Sequence, residues 1–322
     1  MTDVIGFGLT NIDLVAEVEE KFLAQFGIGK GLERHLSDLE FGRMRAALDR
    51  FDALPGGCLG NTLCGLAAMG VDTRFYGKVG ADEFESLYRT SFRDYMVAFD
   101  VEAADGESPQ CAVLVTPDGE RSFAQTEGTG FLLSEDDVDW DEAARARILY
   151  AEIYACAFGG NTRFFERLCD TARANGIPLY IKVIDRDYGA KYRALLHRHA
   201  AEGSISLIVG NADNLPVLVN EDSAAHIREG FLNWPCDIVM TAAGKGGSFF
   251  SGGTRRDFTV ERLETPKNSS GAGDQFMAGF IAAKLDNRPL EDCFALGARQ
   301  ARRILTHHQP RPPLPTRQTI RF

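Results

Sequence analysis

The sequence lacks the cysteine spacing and the positive charge that would mark several common protein classes. Its seven cysteines include no C-x-x-C pair, and an odd number leaves one unpaired in any fully disulfide-bonded scheme. Reduced thiols in a cytoplasm are the simpler interpretation. The formal net charge of −11 comes without clusters of Lys and Arg. Because phosphate backbones are bound through such clusters, we expect no nucleic-acid partner.

Long hydrophobic runs are also absent. No stretch approaches the roughly 18 uninterrupted apolar residues of a membrane-spanning helix, and "MTDVIGFGLTNIDL" has no basic segment of a secretory leader. We therefore expect a cytoplasmic protein with no membrane partner. With 44% hydrophobic and 25% charged residues, the composition is that of a globular protein with a large core. The length of 322 residues alone does not decide between one large domain and two smaller ones.

Secondary-structure signals change along the chain. "DVIGFG" and "LTNIDLVAEV" predict two strands, residues 17–50 look helical and charged, and "PDGE" predicts a hairpin within residues 109–130. From about residue 147, short apolar strands such as "IPLYIKVI" alternate with helical stretches. This alternation predicts a parallel sheet covered by helices on both faces. The proline-dense end, "HHQPRPPLPTRQTIRF", is expected to lack regular structure.

Several motif-like stretches do not meet the requirements of the motifs they resemble. "GFGLTN" has Asn11 where a dinucleotide fingerprint needs its third glycine, and "GKGGS" has Gly246 where a phosphate loop needs Ser or Thr. The closely spaced histidines, His197 with His199 and the pair at 307 and 308, have no carboxylates or cysteines at metal-site spacing. No metal ligands are assigned from the sequence.

The stretch "NSSGAGDQFMAGF", residues 268–280, combines flexible backbone with the start of a helix. Gly271 and Gly273 allow successive N–H groups to converge where the helix N-terminus adds its positive dipole, which favours an anion. Asp274 would lie beside that anion, where a carboxylate is useful if it takes a proton from an attacking hydroxyl. The alternative is a tight turn followed by an acidic residue that merely suits the helix dipole.

A second stretch strengthens the catalytic interpretation. "GGCLGNTLCGLAAMGVDTRFYGKVGADEFESLYR", residues 56–89, together with "GAGDQFMAGF" resembles the two signature regions of the PfkB family of carbohydrate and nucleoside kinases, over residues 3–310. "KFLAQFGIGKGLERHLSD" and "VLVTPDGERSF" are most similar to the adenosine-kinase branch. The resemblance implies one ribokinase-like α/β domain over residues 1–322. The domain would have a central, mostly parallel sheet flanked by helices, and a small β lid from about 12–32 and 97–130.

The resemblance also implies roles for individual residues. Asp274 would be the base that deprotonates the acceptor hydroxyl, and the amides of Gly271, Ala272 and Gly273 would form the anion hole for the transferring phosphoryl group. Asp13 would grip vicinal hydroxyls of a sugar, since one carboxylate can accept from two neighbouring hydroxyls.

Further residues match the family's binding positions. Gly57 and Asn61 would contact the sugar, although a tight turn and helix cap would also explain them. Arg121 would reach the phosphates from the lid, or be a solvated hairpin residue. Tyr154 would stack on a base, or be a core tyrosine. The positions that would approach the nucleotide donor are Asn211, Thr241, Gly244 and Gly246.

The implied function is an ATP- and Mg²⁺-dependent kinase that phosphorylates a primary hydroxyl of a ribonucleoside, adenosine or a relative. It would act on small molecules as a monomer or homodimer. The chain departs from the family pattern at Asn214 and Asn268, where relatives carry acids, and at Leu9, where adenosine-kinase relatives commonly carry asparagine. Two alternatives remain: a kinase of free sugars such as ribose or fructose, and a catalytically weakened binder of nucleosides or sugars.

Overall fold

Short apolar strands form the centre of the molecule, and Val4–Phe7, Ile148–Glu152 and Leu179–Val183 are buried on both faces. The computed structural model describes residues 1–219, 223–264, 267, 269–307 and 309–314. The strands are β1 (Val4–Phe7), β2 (Ile12–Glu17), β3 (Glu33–His35), β4 (Asp52–Pro55), β5 (Thr73–Tyr76), β6 (Gln110–Val115), β7 (Arg121–Thr126), β8 (Ile148–Glu152), β9 (Leu179–Val183), β10 (Leu207–Asn211), β11 (Asp237–Thr241), β12 (Gly247–Ser251) and β13 (Thr254–Phe258).

Ten α-helices surround these strands in the described part of the chain. They are α1 (Glu20–Gln25), α2 (Asp38–Ala46), α3 (Cys58–Ala68), α4 (Glu85–Tyr95), α5 (Trp140–Ala143), α6 (Arg163–Asn175), α7 (Arg186–Ala201), α8 (Ala224–Leu232), α9 (Ala272–Leu285) and α10 (Leu290–Ile304). None of the helices in these ranges combines the length and the apolar character needed to cross a membrane.

The main sheet has eight strands in the order β13-β12-β11-β10-β9-β8-β1-β5. Strands β5, β1, β8, β9, β10 and β11 are parallel, while β12 and β13 are antiparallel to their neighbours. One apolar core joins the sheet to α3, α9 and α10, and a second joins the opposite face to α6 and α7. The prediction of a mostly parallel sheet covered by helices on both faces is confirmed.

A second sheet of five strands, in the order β3-β7-β6-β2-β4, lies beside the first and is called the lid sheet below. Residues 12–32 and 97–130 supply β2, β6 and β7, while β3 and β4 come from residues between those segments. The hairpin expected within residues 109–130 is present as β6 and β7. Residues 17–50 are not wholly helical, because β3 separates α1 from α2.

Helix α9 is buried on nearly all sides, which explains why its sequence is apolar around its whole circumference. It packs between α3 and α10, with Phe276 and Phe280 in the core. Gly271 precedes it with φ +78°, in the left-handed region that favours glycine. A Cβ atom there would lie 2.5 Å from the Pro310 carbonyl oxygen, because the C-terminal segment packs against this turn.

Residues 309–314 form no helix or strand, as the proline content predicts, but they are not simply solvated. Pro310, Arg311 and Pro312 are buried. The Gln275 side chain donates to the Pro310 carbonyl at 3.3 Å, and the Tyr95 hydroxyl donates to the Pro312 carbonyl. This segment therefore holds α4 and α9 together and lies against the start of α9.

Candidate active site

Asp274 lies in the first turn of α9 and is only 5% exposed. Its Oδ2 accepts a hydrogen bond of 3.0 Å from Asn61 Nδ2 on α3, and its Oδ1 forms an ion pair with Lys182 on β9. The first turn of a helix leaves backbone N–H groups without intrahelical acceptors, so donors and a positive dipole end surround this carboxylate. Three elements far apart in sequence therefore hold one ionisable group.

Lys182 was not among the residues assigned from the sequence. It stands in the apolar run "LYIKV" of β9 and is 7% exposed. Burial on its own lowers the pKa of an ammonium, but the charge of Asp274 and other neighbours outweighs that effect, and the pKa of Lys182 is raised. A charged residue inside a buried strand was the available signal, because such a group needs a partner.

Asp13 on β2 reaches the same region from the lid sheet. A Cβ atom on Gly56 would lie 2.3 Å from the Asp13 carboxyl carbon, so only glycine leaves room for this side chain. Burial raises the pKa of Asp13 to about 7, with Arg311 opposing the rise and Asp274 adding to it. Gly57 directly precedes α3 and has φ +82°. The glycine pair thus allows α3 to start directly beside the carboxylate.

Arg311 is the second buried cation near Asp274, and it was not among the residues assigned from the sequence. It donates from Nε to Asn61 Oδ1 at 3.0 Å, from Nη1 to Ser91 Oγ at 2.5 Å, and from Nη2 to the Gly56 carbonyl at 2.9 Å. Its guanidinium also lies over the Tyr88 ring at 5.4 Å. The C-terminal segment therefore braces both the glycine pair and the amide that contacts Asp274.

Glu152, at the end of β8, is a third carboxylate in this region and is 1% exposed. It accepts backbone hydrogen bonds of 2.9 Å from Leu9 and from Leu59. Burial raises the pKa of Glu152 to about 7, against the effect of these two donors. Its position indicates that it joins the loop after β1 to the start of α3.

Two clefts meet at the start of α9. The first, called the Asp13 cleft, has a volume of about 190 Å³, and its lining includes the predicted residues Asp13, Gly57, Asn61, Tyr154, Gly271 and Asp274. The second, called the Thr241 cleft, has a volume of about 480 Å³, and its lining includes Asn211, Thr241, Gly244, Gly246, Ala272 and Gly273. Every residue predicted for the site except Arg121 lines one of them. The first turn of α9 is therefore shared by both clefts.

Arg121 and Tyr154 lie at the edges of this arrangement. Arg121 Nη1 donates to Ser270 Oγ at 3.0 Å, which brings the lid arginine to the loop before α9. Tyr154 lines the Asp13 cleft, but its hydroxyl donates to Asp185 Oδ2 at 3.2 Å and its ring packs edge-on against Phe131. Tyr154 is thus both a cleft residue and a core residue.

The loop after β10 is the candidate for holding Mg²⁺ with a nucleotide. Asn211 Oδ1 accepts from the backbone N–H groups of Asp213 and Asn214 at 3.0 and 2.7 Å, and Asn214 Nδ2 donates to the Ile184 carbonyl at 2.8 Å. Asp213 remains as an exposed carboxylate. Because Mg²⁺ often binds through one carboxylate plus substrate phosphates, these groups fit an ion carried by the nucleotide. Asn268, the other departure, lies outside the described residues.

A cluster of Glu33, His35 and Asp185 joins β3 of the lid sheet to the N-terminus of α7, and the atoms that could bind a metal ion lie within 4.8 Å of one another. His35 Nε2 lies 3.1 Å from Asp185 Oδ2, and Gln125 donates to Glu33. The hydrogen bond to Asp185 raises the pKa of His35. These contacts already give each of the three side chains a partner, and they join β3 to the start of α7.

Comparison with known proteins gives one family match and several similar kinases. The family described as pfkB family carbohydrate kinase matches residues 1–317. The adenosine kinase from Sinorhizobium meliloti superposes with a TM-score of 0.87 at 25% identity, covering 97% of this chain and 96% of that one. An uncharacterized sugar kinase of Archaeoglobus fulgidus is 25% identical over 78% of this chain and 98% of its own length.

A further relative is the 5-dehydro-2-deoxygluconokinase of Listeria monocytogenes, which is 22% identical over 89% of this chain and 91% of its own length. The family match spans both clefts and all the residues that line them. The chain therefore belongs to the pfkB family of carbohydrate kinases, and it is a phosphotransferase that acts on hydroxyl groups.

Proposed function

We propose that this protein transfers the γ-phosphate of ATP to a primary hydroxyl of a ribonucleoside, most simply the 5′-hydroxyl of adenosine or a relative. One observation carries the proposal: Asp274 and Asp13 line one cleft, and the first turn of α9 also lines the neighbouring cleft. An acceptor in the Asp13 cleft and a nucleotide in the Thr241 cleft would meet at that turn. In-line transfer requires this kind of placement.

The residues then have distinct tasks. Asp274 takes the proton of the acceptor hydroxyl as its oxygen attacks the γ-phosphorus. The amides of Gly271, Ala272 and Gly273 stabilise the charge on the transferring group. Asp13 accepts hydrogen bonds from two vicinal hydroxyls and orients the acceptor. When bound, Mg²⁺ neutralises phosphate charge, and Asp213 is the carboxylate that would hold it.

The lid sheet supports an acceptor longer than a single sugar ring. Strand pairing places Asp13 beside Cys111, Cys111 beside Gln125, and Gln125 beside His35. Paired residues lie on the same face of a sheet, so these four side chains form a row across it. Neighbouring strands are about 4.8 Å apart, which makes the row about 14 Å long. A ribose held by Asp13 would leave the rest of the row for a base. The similarity to an adenosine kinase is consistent with this acceptor.

A free sugar is the second candidate. The Asp13 cleft is small, about 190 Å³, whereas ligand pockets commonly measure about 300–1,000 Å³. A compact sugar fits that volume without further opening of the lid, and two relatives are named as kinases of sugars or sugar derivatives. We place either reaction in the cytoplasm, carried out by a monomer or homodimer.

The test uses the purified full chain with ATP and Mg²⁺ against a panel of ribonucleosides, ribose and fructose, with product identified by mass spectrometry. We expect a nucleoside 5′-monophosphate and ADP in equal amounts. Exclusive formation of a sugar phosphate would select the second candidate. Binding of a nucleoside without transfer to any acceptor would contradict both and support the weakened binder.

A further inference from the structure

Lys182 is a buried cation that takes no direct part in the proposed proton transfer. It lies in the middle of β9, with Ile181 and Val183 fully buried beside it. A lysine at such a position is rare unless it is paired, because removing an ammonium from water is costly in a protein interior. Its partner in the structure is Asp274 Oδ1.

The surroundings of Lys182 favour this pair over other arrangements. Strand pairing places Glu152 directly beside Lys182 on the same face of the sheet, but Glu152 already accepts from the Leu9 and Leu59 amides. The Tyr150 hydroxyl, which lies near both members of the pair, is buried and has no hydrogen-bond partner among the described residues. The ion-pair partner of the Lys182 ammonium is therefore Asp274.

The pair also fixes the orientation of the carboxylate. Oδ1 faces Lys182, and Oδ2 accepts from Asn61, whose own oxygen is held by Arg311. Rotation of the carboxylate would break both contacts. Burial favours the neutral, protonated form of a carboxyl group, which has no capacity to accept a further proton. A cation in direct contact opposes that effect.

We propose that Lys182 is a positioning residue for phosphoryl transfer, which keeps Asp274 in its carboxylate form and in a single orientation. The inference rests on Asp274 acting as the base in the proposed function. During the reaction the acceptor O–H bond breaks and its proton passes to Asp274. The new O–P bond forms as the bond to the β–γ bridging oxygen breaks and ADP leaves. Asp274 then releases its proton to water, and Lys182 keeps its ammonium protons throughout.

The experiment compares Lys182→Met, Lys182→Arg and Asp274→Asn with the wild type, using pH profiles of kcat and kcat/KM for ATP and for the best acceptor. Lys182→Met removes the charge but keeps most of the volume. We expect its kcat to fall about 100-fold with both KM values changed less than about threefold, since proton transfer and not binding is affected. The acidic limb of its profile should move up by about one pH unit or more.

Control variants distinguish the effect of the Lys182 charge from the effect of its side-chain packing. Lys182→Arg keeps a cation and should recover part of the rate, with the acidic limb near its wild-type position. Lys284→Met, at an exposed position in the last turn of the same helix α9, should match the wild type. A normal rate and pH limb in Lys182→Met, with the rate lost in Asp274→Asn, would overturn the inference and leave the base intact. A normal rate in Asp274→Asn would instead overturn the proposed base.

If Lys182→Met is too unstable for kinetic assays, the inference is tested by comparing its urea denaturation with that of the double variant Lys182→Met/Asp274→Asn. Removing both charges should make the double variant more resistant to urea than Lys182→Met alone, because it no longer buries an unpaired carboxylate. Equal or lower resistance would show that the two groups do not stabilise each other's charge, and the inference would fail.

Discussion

Arg311 Nε donates to Asn61 Oδ1 at 3.0 Å, while Asn61 Nδ2 donates to Asp274 Oδ2 at the same distance. One asparagine side chain thus joins the C-terminal segment to the proposed base. Each end of the amide has a partner of the correct type, so flipping the amide would lose both hydrogen bonds. Residues 309–314 are therefore part of the structure that surrounds Asp274.

We predict that Arg311→Ala lowers the free energy of unfolding by about 3 kcal/mol. The change removes a buried guanidinium that donates to Asn61, Ser91 and Gly56. The Gly56 carbonyl keeps the Tyr88 hydroxyl as a donor, but the buried Asn61 oxygen loses its hydrogen bond, and an unpaired buried group is costly. Urea denaturation measures the effect. Arg256→Ala is the matched control, because Arg256 is 63% exposed and pairs only at the surface, where an ion pair contributes less than about 1 kcal/mol. Equal effects in the two variants would contradict the bracing role of Arg311.

Gly271 and Gly273 should respond differently to the same substitution. Gly271→Ala places a methyl group 2.5 Å from the Pro310 oxygen at φ +78°, so we expect a loss of about 1–3 kcal/mol in unfolding free energy. Gly273→Ala meets no heavy atom within 4 Å and should fold normally. If phosphate binds beside Gly273, transfer by Gly273→Ala should still fall at least about tenfold. A normal rate would argue against an anion hole at this position.

Asp13→Asn should weaken binding of acceptors that carry a vicinal diol. Hydrogen bonds to a charged group contribute about 1.5–3 kcal/mol each, so we expect the acceptor KM to rise about 10- to 100-fold while the KM for ATP stays nearly constant. Steady-state kinetics with a ribonucleoside and its 2′-deoxy analogue measures the effect. The wild type should prefer the diol, and Asp13→Asn should lose most of that preference. If Asp13→Asn keeps the wild-type preference for the diol, another residue must bind the vicinal hydroxyls.

The free energy of unfolding should fall as pH rises from 5 to 8. The pKa of Asp13 and of Glu152 is raised by burial to about 7 in the folded protein, so the folded state holds more protons than the unfolded state between about pH 4 and 7. His35 also makes the free energy of unfolding fall as pH rises. Its pKa is raised in the folded protein, so the stabilisation from its protonated form is lost as pH rises through that folded-state pKa. Urea denaturation at four pH values should show the fall. Glu152→Gln should flatten it, and an unchanged slope would rule out Glu152 as a contributor.

The sequence was sufficient for the parts of the fold and site that depend on local pattern. Alternating apolar strands and helices predicted the main sheet, and the "GAGD" turn placed Asp274 correctly at the start of a helix. The charged run of residues 17–50 concealed β3, because "ERH" is partly exposed and has no apolar alternation. Its strand conformation comes from pairing with β7, more than 80 residues away.

The two buried cations could not be assigned from local pattern. Lys182 is visible as a charge within an apolar strand, but its partner lies 92 residues further along the chain. Arg311 stands in a proline-rich segment whose composition predicts only a lack of regular structure. It is buried because the segment docks against α3, α4 and α9. Such contacts depend on the tertiary arrangement of distant elements.

The proposed mechanism depends most directly on Asp274 taking the proton of the acceptor. The decisive measurement is the single-turnover rate of phosphate transfer from ATP by Asp274→Asn, alongside its binding of an ATP analogue and its unfolding curve. We predict a folded variant that binds the analogue but transfers phosphate at least about 100-fold more slowly than the wild type. A folded variant that transfers phosphate within a few-fold of the wild-type rate would contradict the proposed mechanism.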